Sequence, residues 1–215
     1  MPTTPIAIAL ETTPKKTFAV ALDWPGWCRA GRDPDAALTA VADYAQRYAP
    51  VAAAAGFPLP ATITLEERER MPGGASTAFG VPERTFEADR ARVSRGEAKR
   101  LADLLRAAWT YFDEVATRSP EQLRKGPRGG GRDRDKMIDH VLGAESAYAR
   151  QLGLKIPPPA IGDTPAITAL REALLAVLGV ASDGSPVHKW TTRYAARRIA
   201  WHALDHAWEM QDRTE

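Results

Sequence analysis

Along the first third of the chain apolar and polar positions alternate with the two-residue period of strands, and beyond residue 94 they recur every three to four residues, the period of helices. Ile6 to Leu10 and Thr17 to Leu22 are short, partly β-branched runs separated by a Thr-Thr-Pro-Lys-Lys segment with turn chemistry, so two paired strands are expected. In the stretch from Asp23 to Gly31, Pro25-Gly26 forces a turn and Gly31 reads as a position that tolerates positive φ. Asp33 then offers an N-cap, Pro34 suits the first helical position, and Asp35 suits the positive end of the helix dipole. The predicted helix runs through AALTAVADYAQRYAPVAAAAG, bent or broken at Pro50 and stopped by Gly56. A third strand is expected from Ala61 to Glu69, where Ile63 and Leu65 alternate with polar neighbours. From Met71 to Ala91 glycines and prolines interrupt any period, so this stretch reads as a connection, pinned to a surface by Phe79 and Phe86.

The second half starts with a capping box, Ser94-Arg95-Gly96-Glu97, ahead of a helix whose apolar stripe is Leu101, Leu104, Leu105, Ala108, Phe112 and Val115. Ser119-Pro120 ends it. A second helix begins near Asp133, with Met137, His140, Val141, Ala144, Tyr148 and Leu152 on one face; a third runs from Ala166 to Leu178, and the last from Arg193 to Arg213. Long connections such as KIPPPAIGDTP separate them, which predicts a four-helix bundle with a crossover. The fold class is therefore α+β: a small β-β-α-β domain over residues 1–75, a linker over 76–93, and an independent all-α bundle over 94–215.

Composition narrows the partners. Acids and bases are interspersed and the net charge is only +2, so there is no polyelectrolyte face and charge argues against nucleic acid. Cys28 is the one cysteine, which excludes an internal disulfide and suits the reducing cytoplasm. No apolar run is long enough to span a membrane, and no basic-then-apolar leader is present. A small molecule is the expected partner, and the pattern leaves a homodimer open.

The candidate chemistry lies on two of the late helices. His202 and His206 are four apart and share a face with Ala195, Ile199 and Met210. That spacing presents two nitrogens to one metal ion, and it equally suits two buried, hydrogen-bonded imidazoles. His140, on an apolar face of its own helix, supplies a third nitrogen; three imidazoles with open positions make a catalytic rather than a structural ligand count, and favour zinc or nickel over magnesium or calcium. Asp205 and Glu209 flank the pair as candidates to orient ligands or act as general base. The basic glycine loop before the His140 helix carries Lys125, Arg128 and Arg132, which together with free amides suit a carboxylate or phosphate. Trp201 and Trp208 beside the pair read as core or interface, and His188 is assigned no role.

Two resemblances follow from these residues. The first 70 residues, with Trp24-Pro25-Gly26-Trp27-Cys28-Arg29-Ala30-Gly31 and the helix started by Asp33, resemble the HicB-like domain. Such domains neutralise a small ribonuclease in toxin–antitoxin systems and usually carry a DNA-binding tail, which does not follow here; a protein-interaction or dimerising module is the alternative, with Cys28 as a packed thiol. From Ser94 to Arg213, four helices with a histidine on the second and a pair on the last resemble the DinB-like family, which includes metal-dependent transferases that use low-molecular-weight thiols. Carried over, His140, His202 and His206 are the metal ligands, although the chain departs from the family's last-helix pattern and has Met210 one turn after His206. The implied function is a metal-dependent enzyme acting with such a thiol on a small electrophile, by S-transfer or hydrolysis. The competing readings are a non-enzymatic binding or scaffold protein and an antitoxin-like regulator.

Overall fold

The structure is a computed structural model that describes residues 5–126 and 131–214. It is α+β. The strands are β1 (Ile6–Thr12), β2 (Thr17–Ala21), β3 (Cys28–Gly31) and β4 (Leu65–Pro72), and the helices are α1 (Pro34–Asp43), α2 (Ala45–Ala54), α3 (Ala75–Phe79), α4 (Arg95–Arg118), α5 (Arg134–Gln151), α6 (Thr164–Leu178) and α7 (Thr192–Thr214), with a 3₁₀ turn over Glu87–Arg90. The strands form one mixed sheet in the order β3-β2-β1-β4, antiparallel except for the parallel β1–β4 pair. Among the described residues, no helix is long and apolar enough to cross a membrane.

Several local expectations hold for the reasons that motivated them. The Asp33 carboxylate accepts from the Ala36 amide at 2.8 Å, and Ser94 and Glu97 cap α4 reciprocally. Gly56 has φ +82° and the Phe57 amide reaches back to the Ala52 carbonyl, which closes α2.

Others need correction. β3 was not foreseen, because Cys-Arg-Ala-Gly has no β-branched residue and is a strand only through its pairing with β2. The third expected strand lies later, at Leu65–Pro72, and carries alternating charges along an exposed edge. The first helix breaks at Tyr44 (φ −80°, ψ 0°), and Pro50, where the break was expected, lies inside α2. Gly31 is not a positive-φ residue; an added Cβ would lie 2.2 Å from the Ala37 nitrogen, so its role is close approach to α1. The positive φ belongs to Gly26, at +92°, where a Cβ would strike Leu204 of α7 at 2.6 Å. The Pro-Gly turn is thus a docking point for the last helix.

The sheet is covered on both faces. Ile6, Ile8 and Leu10 of β1, with Ala19 and Ala21 of β2, point into a buried cluster that runs through Trp27, Val41 and Tyr48 to Leu105 and Phe112 of α4 and Leu204 and Trp208 of α7. The sheet and the helices after residue 94 therefore share one core, where the change of period alone suggested two. The alternate residues Ala9, Phe18, Val20 and Leu22 meet Cys28, Phe86 and Trp201 on the opposite face.

The connecting segment is fastened rather than loose. The fully buried Glu11 carboxylate accepts from the Thr77 hydroxyl and from the amides of Glu83 and Arg84, at 3.0 Å each, and so clamps the segment to β1. Asp89 holds Arg197 of α7 through two hydrogen bonds, at 2.9 and 2.5 Å, with both side chains buried. Phe86 is fully buried as expected, whereas Phe79 is 87% exposed and pins nothing.

Candidate metal centre

α7 is the axis of the site. From Tyr194 to Met210 every residue is buried except Arg198, Asp205 and Glu209, which are half-buried, so this helix is enclosed by the sheet-side elements and by α4, α5 and α6. On the side facing α5, His202 and His206 stand one turn apart, 7% and 9% exposed, and meet His140 of α5, which lies at the half-buried border of its helix's apolar stripe. The three imidazoles each offer a nitrogen, and these atoms lie within 4.8 Å of one another. His202 Nε2 is 3.2 Å from His140 Nε2, and ring centroids are 4.7 to 4.9 Å apart.

That geometry suits an ion. Nitrogens held about 2.1 Å from a tetrahedral zinc stand about 3.4 Å apart, close to the His140–His202 separation. Protonation is disfavoured here: burial, then the neighbouring His206, lowers His140 to about 4 and pushes His202 well below the usual imidazole range. Both rings are neutral at pH 7, as ligands must be.

Glu209 supplies the next layer. Its carboxylate lies 2.9 Å from His206 Nδ1 and 3.2 Å from the Arg213 guanidinium, and the histidine contact, ahead of the opposing effect of burial, holds its carboxyl below the ordinary range. With the proton on Nδ1 donated to Glu209, the lone pair of His206 Nε2 is left for a ligand role. Glu209→Gln is accordingly expected to weaken divalent-ion affinity by roughly 10- to 100-fold, the usual cost of losing such a carboxylate. Isothermal titration with zinc measures this, and an unchanged affinity would remove Glu209 from the site.

The other expected residues divide. Asp205 does not face the histidines: it binds Arg29 of β3 at 2.7 Å, and Arg29 lies over the Tyr44 and Trp208 rings, so this acid ties α7 to the sheet. Lys125 is paired with Asp133, and Arg128 lies outside the described residues. Arg132 is exposed, and its charge is felt at His140, His202 and Glu209. Met210 is fully buried in the apolar cluster. Trp208 is core, Trp201 covers the far sheet face, and burial raises the Cys28 thiol, as befits a packed residue. A cavity of about 680 Å³ is lined by Arg150, Lys155 and His188 near the end of α5 and includes none of the three clustered histidines.

Two further residues of α5 complete the surroundings. Tyr148 of α5 sets its ring edge-on to His202, at 5.7 Å, and packs against Trp190. Glu145, one and a half turns beyond His140, faces away into a buried ion-pair network in which Arg171 of α6 joins it to Asp113 of α4, bracing the bundle. Comparison with family models, with curated proteins and with solved structures finds no match.

Proposed function

We propose that His140, His202 and His206 bind one divalent ion, zinc or nickel, and that the chain is a metal-dependent enzyme of the DinB-like type that acts with a low-molecular-weight thiol on a small electrophile. The convergence of three imidazoles from α5 and α7 carries this reading. Nitrogen donors favour a borderline ion, and a three-ligand set leaves room for a reactant. When bound, such an ion supplies a Lewis-acidic position at which a thiol ionises near neutral pH. The chain's own residues do the positioning. Glu209 accepts the Nδ1 proton of His206 in a hydrogen bond, while Tyr148, backed by Trp190, sets an aromatic edge beside His202. The HicB-like reading of the N-terminal part belongs to the same proposal, as the module that carries the docking turn for α7.

Metal analysis of protein purified without an affinity tag tests the reading. About one zinc or nickel per chain, or stoichiometric uptake on titration, is expected; protein that contains no metal, takes up none and shows no thermal response to either ion would overturn it. The metal-free protein should also lose stability on acidification. The folded-state pKa values of His140 and His202 are depressed below the unfolded value of 6.5, so the unfolded chain binds more protons. Their contribution is present above pH 6.5 and is lost as the pH falls toward 4. Chemical denaturation at a series of pH values should show the decline in that window, and a midpoint unchanged across it would contradict the burial of the rings.

A further inference from the structure

We infer that the ligand that works at the histidine cluster carries a carboxylate, and that Arg198 receives it. The inference rests on the metal-centre reading above and names the chemical class of what binds there.

Among the described residues, Arg198 is the one arginine of α7 without a carboxylate partner. Arg193 holds Glu97, Arg197 holds Asp89, and Arg213 holds Glu209, but Arg198 makes no ion pair or hydrogen bond with any described residue. Its Nη1 is buried without an acceptor. The side chain as a whole is half-buried, so Arg198 keeps a charge without a counter-charge among the described residues at the edge of the core. The side chain is also held in place: its guanidinium lies 4.6 Å from the Trp201 ring centroid and 5.3 Å from that of Tyr148, so aromatic faces fix the plane of its donors.

Its position relates it to the metal centre. Arg198 is one turn before His202 on α7, and both rings that hold it, Trp201 and Tyr148, also touch His202, at 6.0 and 5.7 Å between centroids. The guanidinium and the imidazole thus have the same two aromatic rings as neighbours. A ligand whose thiolate occupied the open coordination position would lay its carbon chain along Tyr148 and present a carboxylate to the guanidinium nitrogens other than the buried Nη1.

The charge of the ligand follows from what is there. Arg198 lies within α7, where the backbone amides are engaged in the helix, so no cradle of free N–H groups accompanies it. Arg197 beside it is neutralised by Asp89. A single planar guanidinium matches a monoanionic carboxylate bidentately, whereas a phosphate dianion calls for further cations or amides.

The test uses the whole chain loaded with cobalt(II), whose thiolate complexes absorb in the near ultraviolet. Mercaptoacetate, 3-mercaptopropionate and 6-mercaptohexanoate are each titrated against the corresponding uncharged amide. At the length that spans the two sites the acid should bind at least tenfold more tightly than its amide, and Arg198→Met should reduce that preference to less than threefold while leaving affinity for the amide unchanged. The acid–amide comparison in the wild-type protein stands even if the variant folds poorly. Cobalt binding with no acid preference at any length, or a preference retained in Arg198→Met, overturns the role of Arg198 and leaves the metal centre intact. Failure to bind cobalt, zinc or nickel overturns both.

Discussion

Replacing His202 by leucine is expected to abolish the response of the protein to zinc or nickel while leaving the metal-free protein as stable as before, or more so. The two halves of this result have different origins. An ion that binds only the folded chain stabilises it by about 2.7 kcal/mol at a free concentration 100 times its dissociation constant. For a chain of this size that is a rise in melting temperature of roughly 5–10 °C, at 2–4 °C per kcal/mol. His202 Nε2 faces His140 at 3.2 Å and should be a central ligand, so its loss removes the whole of that rise. In the metal-free protein the same ring carries an unsatisfied nitrogen. It is buried, its Nδ1 has no hydrogen-bond partner among the described residues, and protonation is opposed by burial and by the other two rings. A leucine of similar size relieves an unsatisfied polar group and adds apolar contact with Ile199 and Tyr148. Thermal scans of wild type and variant, with and without ion, measure both halves. Were the histidines ordinary core residues, the wild type would show no thermal response to the ion. If the wild type responds and His202→Leu responds equally, His202 is not a ligand.

The part of this site legible in the sequence was the part written in helical spacing. The four-residue step from His202 to His206 placed both rings on one face, and the apolar neighbours of His140 pointed the same way; the structure brings all three together. Glu209 was within reach of the same logic, since a three-residue step from His206 puts its carboxylate beside Nδ1. Asp205 satisfied a similar local argument and failed, because its partner, Arg29, comes from a strand 176 residues away. Spacing along one helix cannot see such partners. For the same reason Glu11, the Arg171 network and the Asp89–Arg197 pair were invisible: each is a buried charge whose counter-group lies far away in the chain, and a charged residue in a sequence reads by default as solvated. β3 and the shared core were missed through the same gap, since a four-residue strand and a Pro-Gly turn against an alanine-rich helix are decided by what packs on them.

The Asp89–Arg197 pair gives the largest predicted effect on folding. Asp89 is 2% exposed and Arg197 6%, and two hydrogen bonds join them, so Asp89→Ala leaves a guanidinium buried without its counter-charge. Breaking one side of such a pair costs about 3–5 kcal/mol, against less than about 1 kcal/mol for an exposed pair such as Lys99–Asp103. The expected fall in melting temperature is roughly 6–20 °C. The effect should reach the histidine cluster, because Arg197 is five residues before His202 and Asp89 ties the connecting segment to α7 at that point. Removing both charges, as Asp89→Leu with Arg197→Met, should recover most of the loss, since the penalty comes from the unpaired ion rather than from the missing attraction. A double-mutant cycle with Asp89→Leu and Arg197→Met as its single variants, measured by urea denaturation, separates the terms. A single-variant loss below 1 kcal/mol, or a double variant no better than Asp89→Ala, would show that Arg197 finds water or another acceptor and that the fastening of the connecting segment to α7 lies elsewhere, in Phe86 and its apolar neighbours.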